Sequence, residues 1–173
     1  NVDEVELVLN GKTIRRQTAD KGPDSDYIPV PNGGNGKNLH FPPFTFYGVS
    51  KERGVLKAVG YHQGKKVAEY TVKTPGVPER LDITYFESGK PATKNDLLIV
   101  YVRMLDKQGV LCPVNGIPVE LSVQGGEIVG PTSYPLEAGV AFFLVRTGEI
   151  SKININATGK GFSTRKSLKV GKE

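Results

Sequence analysis

The sequence predicts an all-β fold arranged as two tandem β-sandwich domains, residues 1–76 and 77–173. Three observations carry that reading. Short runs of alternating apolar and polar residues recur about every 8–12 residues, with turn signals between them. Gly (21) and Pro (12) are scattered through the 173 residues at turn-like intervals instead of lying in one block. No segment carries a helical apolar repeat; in the Gly- and Pro-free run from Ala92 to Gln108 the apolar part is dominated by β-branched and aromatic residues. Many short strands of this kind, read together, predict two immunoglobulin-like sandwiches.

Taken in order, Val5, Leu7 and Leu9 alternate with Glu4, Glu6, Val8 and Asn10, the period of a half-buried strand. Asn10-Gly11 follows, the preferred pair for a type I′ hairpin turn, and "KTIRRQ" is the returning strand. Residues 20–43 hold a dense set of Gly, Pro, Asp and Asn, which predicts a long irregular loop, of a length that is either functional or disordered. Strand character resumes over Phe44–Val49. A second hairpin then runs through Val55–Tyr61, turns at "HQGK" and returns over Val67–Thr74. "TPGVP" follows, and because Pro cannot donate to a sheet ladder it marks the domain boundary.

Beyond it, Leu81, Ile83 and Tyr85 form a strand, and "DLLIVYVRML" a longer one. In the latter, Leu98, Val100, Val102 and Met104 share one face and Ile99, Tyr101 and Arg103 the other. "DKQG" is a turn, Val119, Leu121 and Val123 alternate along the next strand, and "GGEIVG" is a short glycine-bounded one. "GVAFFLVRTG" and "KININATG" are predicted to pair, and Leu168 with Val170 closes the chain.

Composition excludes several classes of function. Hydrophobic residues make up 38% and charged residues 24%, the range of a globular protein with a modest core. No apolar run approaches the roughly 18 residues that span a membrane, so no membrane insertion is expected. The chain opens without Met directly in a strand, which predicts a piece of a longer polypeptide. The net charge of +5 invites nucleic-acid binding, but Arg15, Arg16, Lys51, Arg53, Lys65, Lys66, Arg165, Lys166 and Lys169 are spread out and lack interleaved aromatics. They read as solvated surface. Cys112, the lone cysteine, permits no internal disulfide and reads as a small buried or half-buried apolar residue.

The search for chemistry returns no catalytic residue, no metal site and no cofactor site. His40 and His62 lie far apart on unlike elements, and no zinc-ligand spacing is present. "GGNGKN" fails as a phosphate loop, with Pro31 where Gly is needed and Asn38 where Ser or Thr is needed. Asp24 and Asp26 could in principle hold Ca²⁺, but turn aspartates more often bond their own backbone. The sequon at Asn156 falls in a strand. Glu4, Glu6 and Glu120 at strand exteriors, and Glu52 and Asp106 in turns, read as solvated surface.

Two stretches carry a family pattern. "VDEVELVLNGKTI" and "GVLKAVGYHQGKKVAEYTVKTPGVP" resemble the module that follows the catalytic barrel in bacterial glycoside hydrolase family 2, the β-galactosidase and β-glucuronidase group. Matching positions include Asp3, Val5, Glu6, Leu7, Leu9 to Lys12, Gly54, Leu56, Ala58, Val59, Tyr61, Gly64, Lys65, Val67, Ala68, Lys73, Thr74, Gly76 and Pro78. The second half is similar to the invasin-like, immunoglobulin-fold module that ends many of these enzymes. The chain departs from the pattern where Phe46 takes the place of a common Trp, where Ser50–Gly54 replaces a Pro-Tyr-x-Pro-Gly turn, and in the long loop 20–43.

The resemblance implies a non-catalytic accessory region of a β-galactosidase-like glycosidase that hydrolyses O-glycosyl bonds. It implies an upstream catalytic domain of the same polypeptide as partner, and a periplasmic or extracellular location in a bacterium. A (β/α)₈ barrel needs about 250 residues and alternating helices, so the acid/base and nucleophile glutamates would lie outside this chain. Two alternatives stand beside that reading. One is a carbohydrate-binding module using Tyr27, Asn32, Asn35, His40 and Phe41 of the long loop, with Phe44 and Phe46 in the core. The other is an adhesin-type tandem of immunoglobulin-like domains.

Overall fold

The computed structural model describes residues 2–20, 39–86 and 91–171. It is all-β, with three antiparallel sheets and no helix among the described residues. The chain divides into two compact units, Asn1–Thr74 and Pro75–Glu173.

In the first unit, β1 (Glu4–Leu9), β2 (Lys12–Thr18), β3 (Val55–His62) and β4 (Lys65–Lys73) form one sheet in the order β2-β1-β3-β4. Asn10-Gly11 (φ 52° and 80°) makes the expected tight turn, and Gln63-Gly64 (φ 49° and 75°) makes the same turn between β3 and β4. The register puts Leu7 opposite Ala58, and Leu9 opposite Leu56, so the alternation read in the sequence becomes one apolar face with Leu7 buried on it. The opposite face carries Glu6 paired with Arg16 on one side and Val59 on the other. Val59 is 7% exposed although Glu6 and Glu69 stand opposite it on that face.

Phe44–Val49 was expected to be a strand and is not one. Pro42 and Pro43 remove two donors at its entrance, and Gly48 turns left-handed (φ 67°) near its end. Its polar groups bond to side chains instead of a ladder: Gln17 Nε2 donates to Thr45 O (2.9 Å), and Thr45 Oγ1 donates to Asp20 (2.5 Å). Phe44 and Phe46, expected in the core, are half-buried.

The second unit is a two-sheet sandwich. One sheet runs in the order β5-β6-β10-β8 and the other β12-β11-β7-β9. These strands are β5 (Arg80–Tyr85), β6 (Leu97–Leu105), β7 (Pro118–Gln124), β8 (Gly126–Ile128), β9 (Ser133–Pro135), β10 (Val140–Thr147), β11 (Lys152–Gly159) and β12 (Phe162–Lys169). Between the sheets lies a core of Leu81 and Ile83, the predicted face Leu98, Val100, Val102 and Met104, then Val119, Leu121, Leu136, Phe143, Val145, Ile153 and Ile155. Cys112 is buried in the same core, as the sequence indicates.

One pairing is corrected. β10 and β11 were expected to form a hairpin, yet β10 pairs with β6 and β8 while β11 pairs with β12 and β7. Each strand has a single apolar face, and that is satisfied equally by neighbours in one sheet or by opposed strands in two. The turn chemistry decides. Lys160-Gly161 (φ 49° and 79°) joins β11 to β12 as a tight hairpin, whereas the link from Gly148 to Ser151 has no residue in the left-handed region.

Candidate functional site

The long loop's candidates divide in two. Tyr27, Asn32 and Asn35 lie outside the described residues, as do Asp24 and Asp26. His40 and Phe41 are described, and their rings meet edge to face with centroids 4.4 Å apart. Phe41 is 66% exposed. Both line a hollow of about 420 Å³ with Val2, Asp3, Ala19, Pro42, Phe44 and His62.

His62 and His40, read as unrelated in the sequence, therefore share one concavity. The β1–β3 register brings this about: Glu4 stands opposite Tyr61, and Asp3 N donates to Tyr61 O at 2.8 Å, so Asp3 sits beside the hairpin turn. There the Asp3 carboxylate accepts the backbone N–H of Gln63 (2.7 Å) and lies 3.1 Å from His62 Nδ1. The Gln63 bond is the main reason its pKa falls below the usual aspartate value, with His62 adding to it. The hollow thus offers two phenyl rings, two imidazoles and an ionised carboxylate. That is the chemistry of a polar, ring-bearing ligand; among the described residues no cluster of three His, Cys, Asp or Glu side chains could hold a metal ion.

The residues that carry the family pattern meet at a second place. Asn10 Oδ1 accepts from Val55 N (2.9 Å) and Asn10 Nδ2 donates to Arg53 O (3.1 Å). Gly54 N donates to Thr74 Oγ1 (3.1 Å), and Thr74 N donates to Gly54 O (2.8 Å). Gly54 itself has φ +141°, and a Cβ there would fall 1.8 Å from Asn10 Oδ1. Asn10, Gly54 and Thr74, dispersed in sequence, are one structural junction at the end of the sheet. Their role is architectural.

Acidic side chains elsewhere are similarly occupied. Glu4 pairs with Arg16, whose guanidinium lies 3.9 Å from the Tyr61 ring centroid. Glu6 accepts the hydroxyls of Thr13 and Tyr61, each at 2.6 Å; these bonds lower the Glu6 pKa and raise that of Tyr61. In the second unit a groove of about 530 Å³ is lined by Asn95, Gly126, Glu127, Arg146, Thr147, Gly148 and Glu149. Its charges close on one another: Arg146 with Glu127, and Glu149 with Asn95 (2.6 Å) and Lys94 (3.2 Å).

Asp106, read in the sequence as solvated surface, is only 2% exposed. Its carboxylate accepts the backbone N–H groups of Gly76 (2.8 Å), Gln108 (2.9 Å) and Val110 (2.8 Å), and the Gly76 bond contributes most to holding its pKa below the usual aspartate value. Cys112 Sγ lies 3.8 Å from Gly76 O, so the "TPGVP" segment is gripped on both sides of one glycine. Burial, with Asp106 adding to it, pushes the Cys112 thiol pKa up. The "DKQG" turn did hold a signal for this, since an Asp at a turn start bonds the backbone two residues on.

Comparison with known proteins agrees with this architecture. Residues 1–68 match a family described as a domain of unknown function, DUF4982. A β-galactosidase of Thermoanaerobacter pseudethanolicus is 30% identical over 151 residues, covering 80% of this chain and 18% of that protein. The β-galactosidase BoGH2A of Bacteroides ovatus is 30% identical over 176 residues, covering 92% of this chain and again 18% of that protein. The chain therefore spans about a fifth of the length of these relatives. A β-galactosidase sequence of Rhizobium radiobacter is 30% identical over 129 residues and is covered over 92% of its length. Among solved structures, a β-glucuronidase from glycoside hydrolase family 2 superposes with TM-score 0.75 at 22% identity, over 99% of this chain and 18% of that one. A β-glycosidase from Bacteroides vulgatus does so with TM-score 0.76 at 16% identity, over 98% of this chain and 21% of that one; these two show a shared fold. With its sequence 30% identical across most of one β-galactosidase and along one portion of two longer ones, the chain belongs to the β-galactosidase group of glycoside hydrolase family 2, as a C-terminal β-sandwich portion.

Proposed function

We propose that the chain is a non-catalytic accessory region of a β-galactosidase-like glycosidase, stabilising the catalytic barrel or shaping access to it. The observation that carries this reading is the share of two relatives that it spans: the β-galactosidases of Thermoanaerobacter pseudethanolicus and Bacteroides ovatus are more than five times longer than the part that matches. The geometry supports it. Hydrolysis of a glycosidic bond needs two carboxylates facing each other across a cleft, whereas Glu4, Glu6, Asp106, Glu127 and Glu149 are each tied to a neighbour within the fold. The upstream catalytic domain of the same polypeptide is the partner, and a periplasmic or extracellular location suits the substrates of such enzymes. An aryl-β-galactoside assay tests the reading. The 173-residue chain should release no product and the longer polypeptide should release it; turnover by the purified chain alone would overturn the proposal.

A second reading rests on the hollow beside His40. An exposed aromatic pair next to an ionised Asp3 is suited to stacking on a sugar face while accepting hydroxyl hydrogen bonds. Calorimetry of the chain with β-galactans should then show heat that Phe41→Ala abolishes. Absence of heat at millimolar ligand removes this reading.

A further inference from the structure

The two outer faces of the sandwich in the second unit are built for different surroundings. On the sheet β12-β11-β7-β9, the outward positions of its central strands are Asn154, Asn156 and Thr158 on β11, paired with Gln124, Ser122 and Glu120 on β7. That face is polar throughout. On the sheet β5-β6-β10-β8, the outward register reads differently. Ile99 stands opposite Leu144, while Phe86 N donates to Ile99 O and Val129 N donates to Leu144 O. Phe86, Ile99, Leu144 and Val129 thus form one apolar row across the sheet, with Phe86 and Val129 one residue beyond the ends of β5 and β8, and Tyr101 paired with Phe142 forms the next. Phe86 is 62% exposed and Phe142 59%, with Ile99 at 37% and Val129 at 36%. A solvated face of an antiparallel sheet is ordinarily polar, and its partner sheet obeys that rule.

We infer that this row, with Tyr101 and Phe142 beside it, is a docking face for the catalytic part of the same longer polypeptide. The inference rests on the accessory reading above. The charges at the two ends of the face are neutralised within the chain, by Arg103 with Asp82 (2.5 Å) and by Arg146 with Glu127, so the mate must be apolar and need supply no countercharge. Size selects between a tethered and a free mate. The apolar residues expose on the order of 500 Å², near the upper end for a monomer's largest patch, yet short of the about 800 Å² per side that free proteins use. A covalently tethered mate sits at millimolar effective concentration and needs less contact area. Two of the relatives carry more than four-fifths of their length outside the matching portion, which supplies such a mate.

Hydroxyl-radical footprinting of the 173-residue chain and of the longer polypeptide tests this. Labelling of Phe86, Tyr101 and Phe142 should fall about fivefold or more in the longer polypeptide, as at the desolvated centre of an interface, while Lys152 and Lys169 on the other sheet keep their rate. The paired substitution Ile99→Lys with Phe142→Glu should keep the isolated chain folded with a cooperative melt, because neither side chain belongs to the buried core and only the Phe142–Tyr134 stack is lost, and should restore labelling of Tyr101 in the longer polypeptide. Equal labelling of the three aromatics in the two forms overturns the inference. So does sedimentation of the isolated chain as a dimer that protects them, which would assign the face to a second copy. Aryl-galactosidase activity separates the two readings: an active polypeptide with fully labelled Phe142 refutes the docking face alone, and an inactive one with Phe142 protected refutes the accessory-to-glycosidase reading alone.

Discussion

Replacing Gly54 by alanine tests whether the junction of Asn10, Gly54 and Thr74 holds the first sheet together. Its φ of +141° is one that L side chains rarely adopt, and the new Cβ would meet Asn10 Oδ1 at 1.8 Å. Two costs follow. Backbone strain in such a region is of order 1–3 kcal/mol. The Asn10 side chain must also swing away, giving up its bonds to Val55 N and Arg53 O; both are exposed, so each is worth about 0.5 kcal/mol, the low end of the range. The sum is about 2–4 kcal/mol, or a melting temperature roughly 10–30 °C lower for a unit of this size. Asn10→Gly keeps the positive φ of the hairpin turn and loses only the two bonds, about 1 kcal/mol. In the double variant the bonds are already gone and the clash has no partner, so its cost should fall short of the sum of the singles by about 1 kcal/mol. Urea denaturation followed by far-UV circular dichroism on all four proteins reads these values. Strict additivity, or a Gly54→Ala protein within about 0.5 kcal/mol of the parent chain, would refute the reasoning.

Three further outcomes are expected. Phe143→Ala, at a side chain 1% exposed in the core of the second unit, should cost about 3–5 kcal/mol in the same denaturation experiment; a loss below about 1 kcal/mol would mean the two sheets do not pack on it. Asp106 has its native pKa depressed, chiefly by the Gly76 N–H, so its contribution is present above the unfolded aspartate value near pH 4 and is lost as pH falls through the native one. The melting temperature of Asp106→Asn should accordingly differ from the parent at neutral pH and converge with it in acid, and parallel curves from pH 2 to 7 would rule this out. Cys112, buried and with its thiol pKa raised, should react with a disulfide reagent at pH 8 only as the chain unfolds; fast labelling of the folded chain contradicts its placement.

Much of this fold was legible because period-2 alternation and turn chemistry are both local. The inward set Leu98, Val100, Val102 and Met104 came directly from alternation and lies in the core. Asn10-Gly11 signalled its own turn, and Gln63-Gly64 and Lys160-Gly161 obey the same rule. What was not legible depends on register and on long-range bonding. The β10–β11 pairing failed because an apolar face does not say which sheet it belongs to. The hollow joining His40 to His62 required knowing that Glu4 pairs with Tyr61, which alternation leaves free. Asp106 was misread because its partner Gly76 is 30 positions away, in a segment whose prolines marked it as a boundary.

The outer face of β6 shows how a local signal can describe something beyond the chain. Its sequence, "LLIVYVRML", is apolar on both sides over most of its length, the pattern of a strand covered on two faces. β11, "KININATG", alternates strictly, the pattern of a strand covered on one. Both belong to the same sandwich, and the core accounts for one face of each. The core does not require Ile99 or Phe142 to be apolar, since a Thr or Lys at either position would keep it unchanged and the surface better hydrated, although Phe142 also stacks on Tyr134 with ring centroids 6.1 Å apart. A layer that β6 and β10 cover in the longer polypeptide, and that β11 and β7 do not, accounts for the difference in one step. The same logic extends to β4 in the first unit, which is exposed along its whole length yet carries Val67, Tyr70 and Val72: an edge strand left to water is normally blunted with charge, and here the lysines sit at its ends, Lys65, Lys66 and Lys73, while the one charge between them, Glu69, is paired with Lys57 and Lys66.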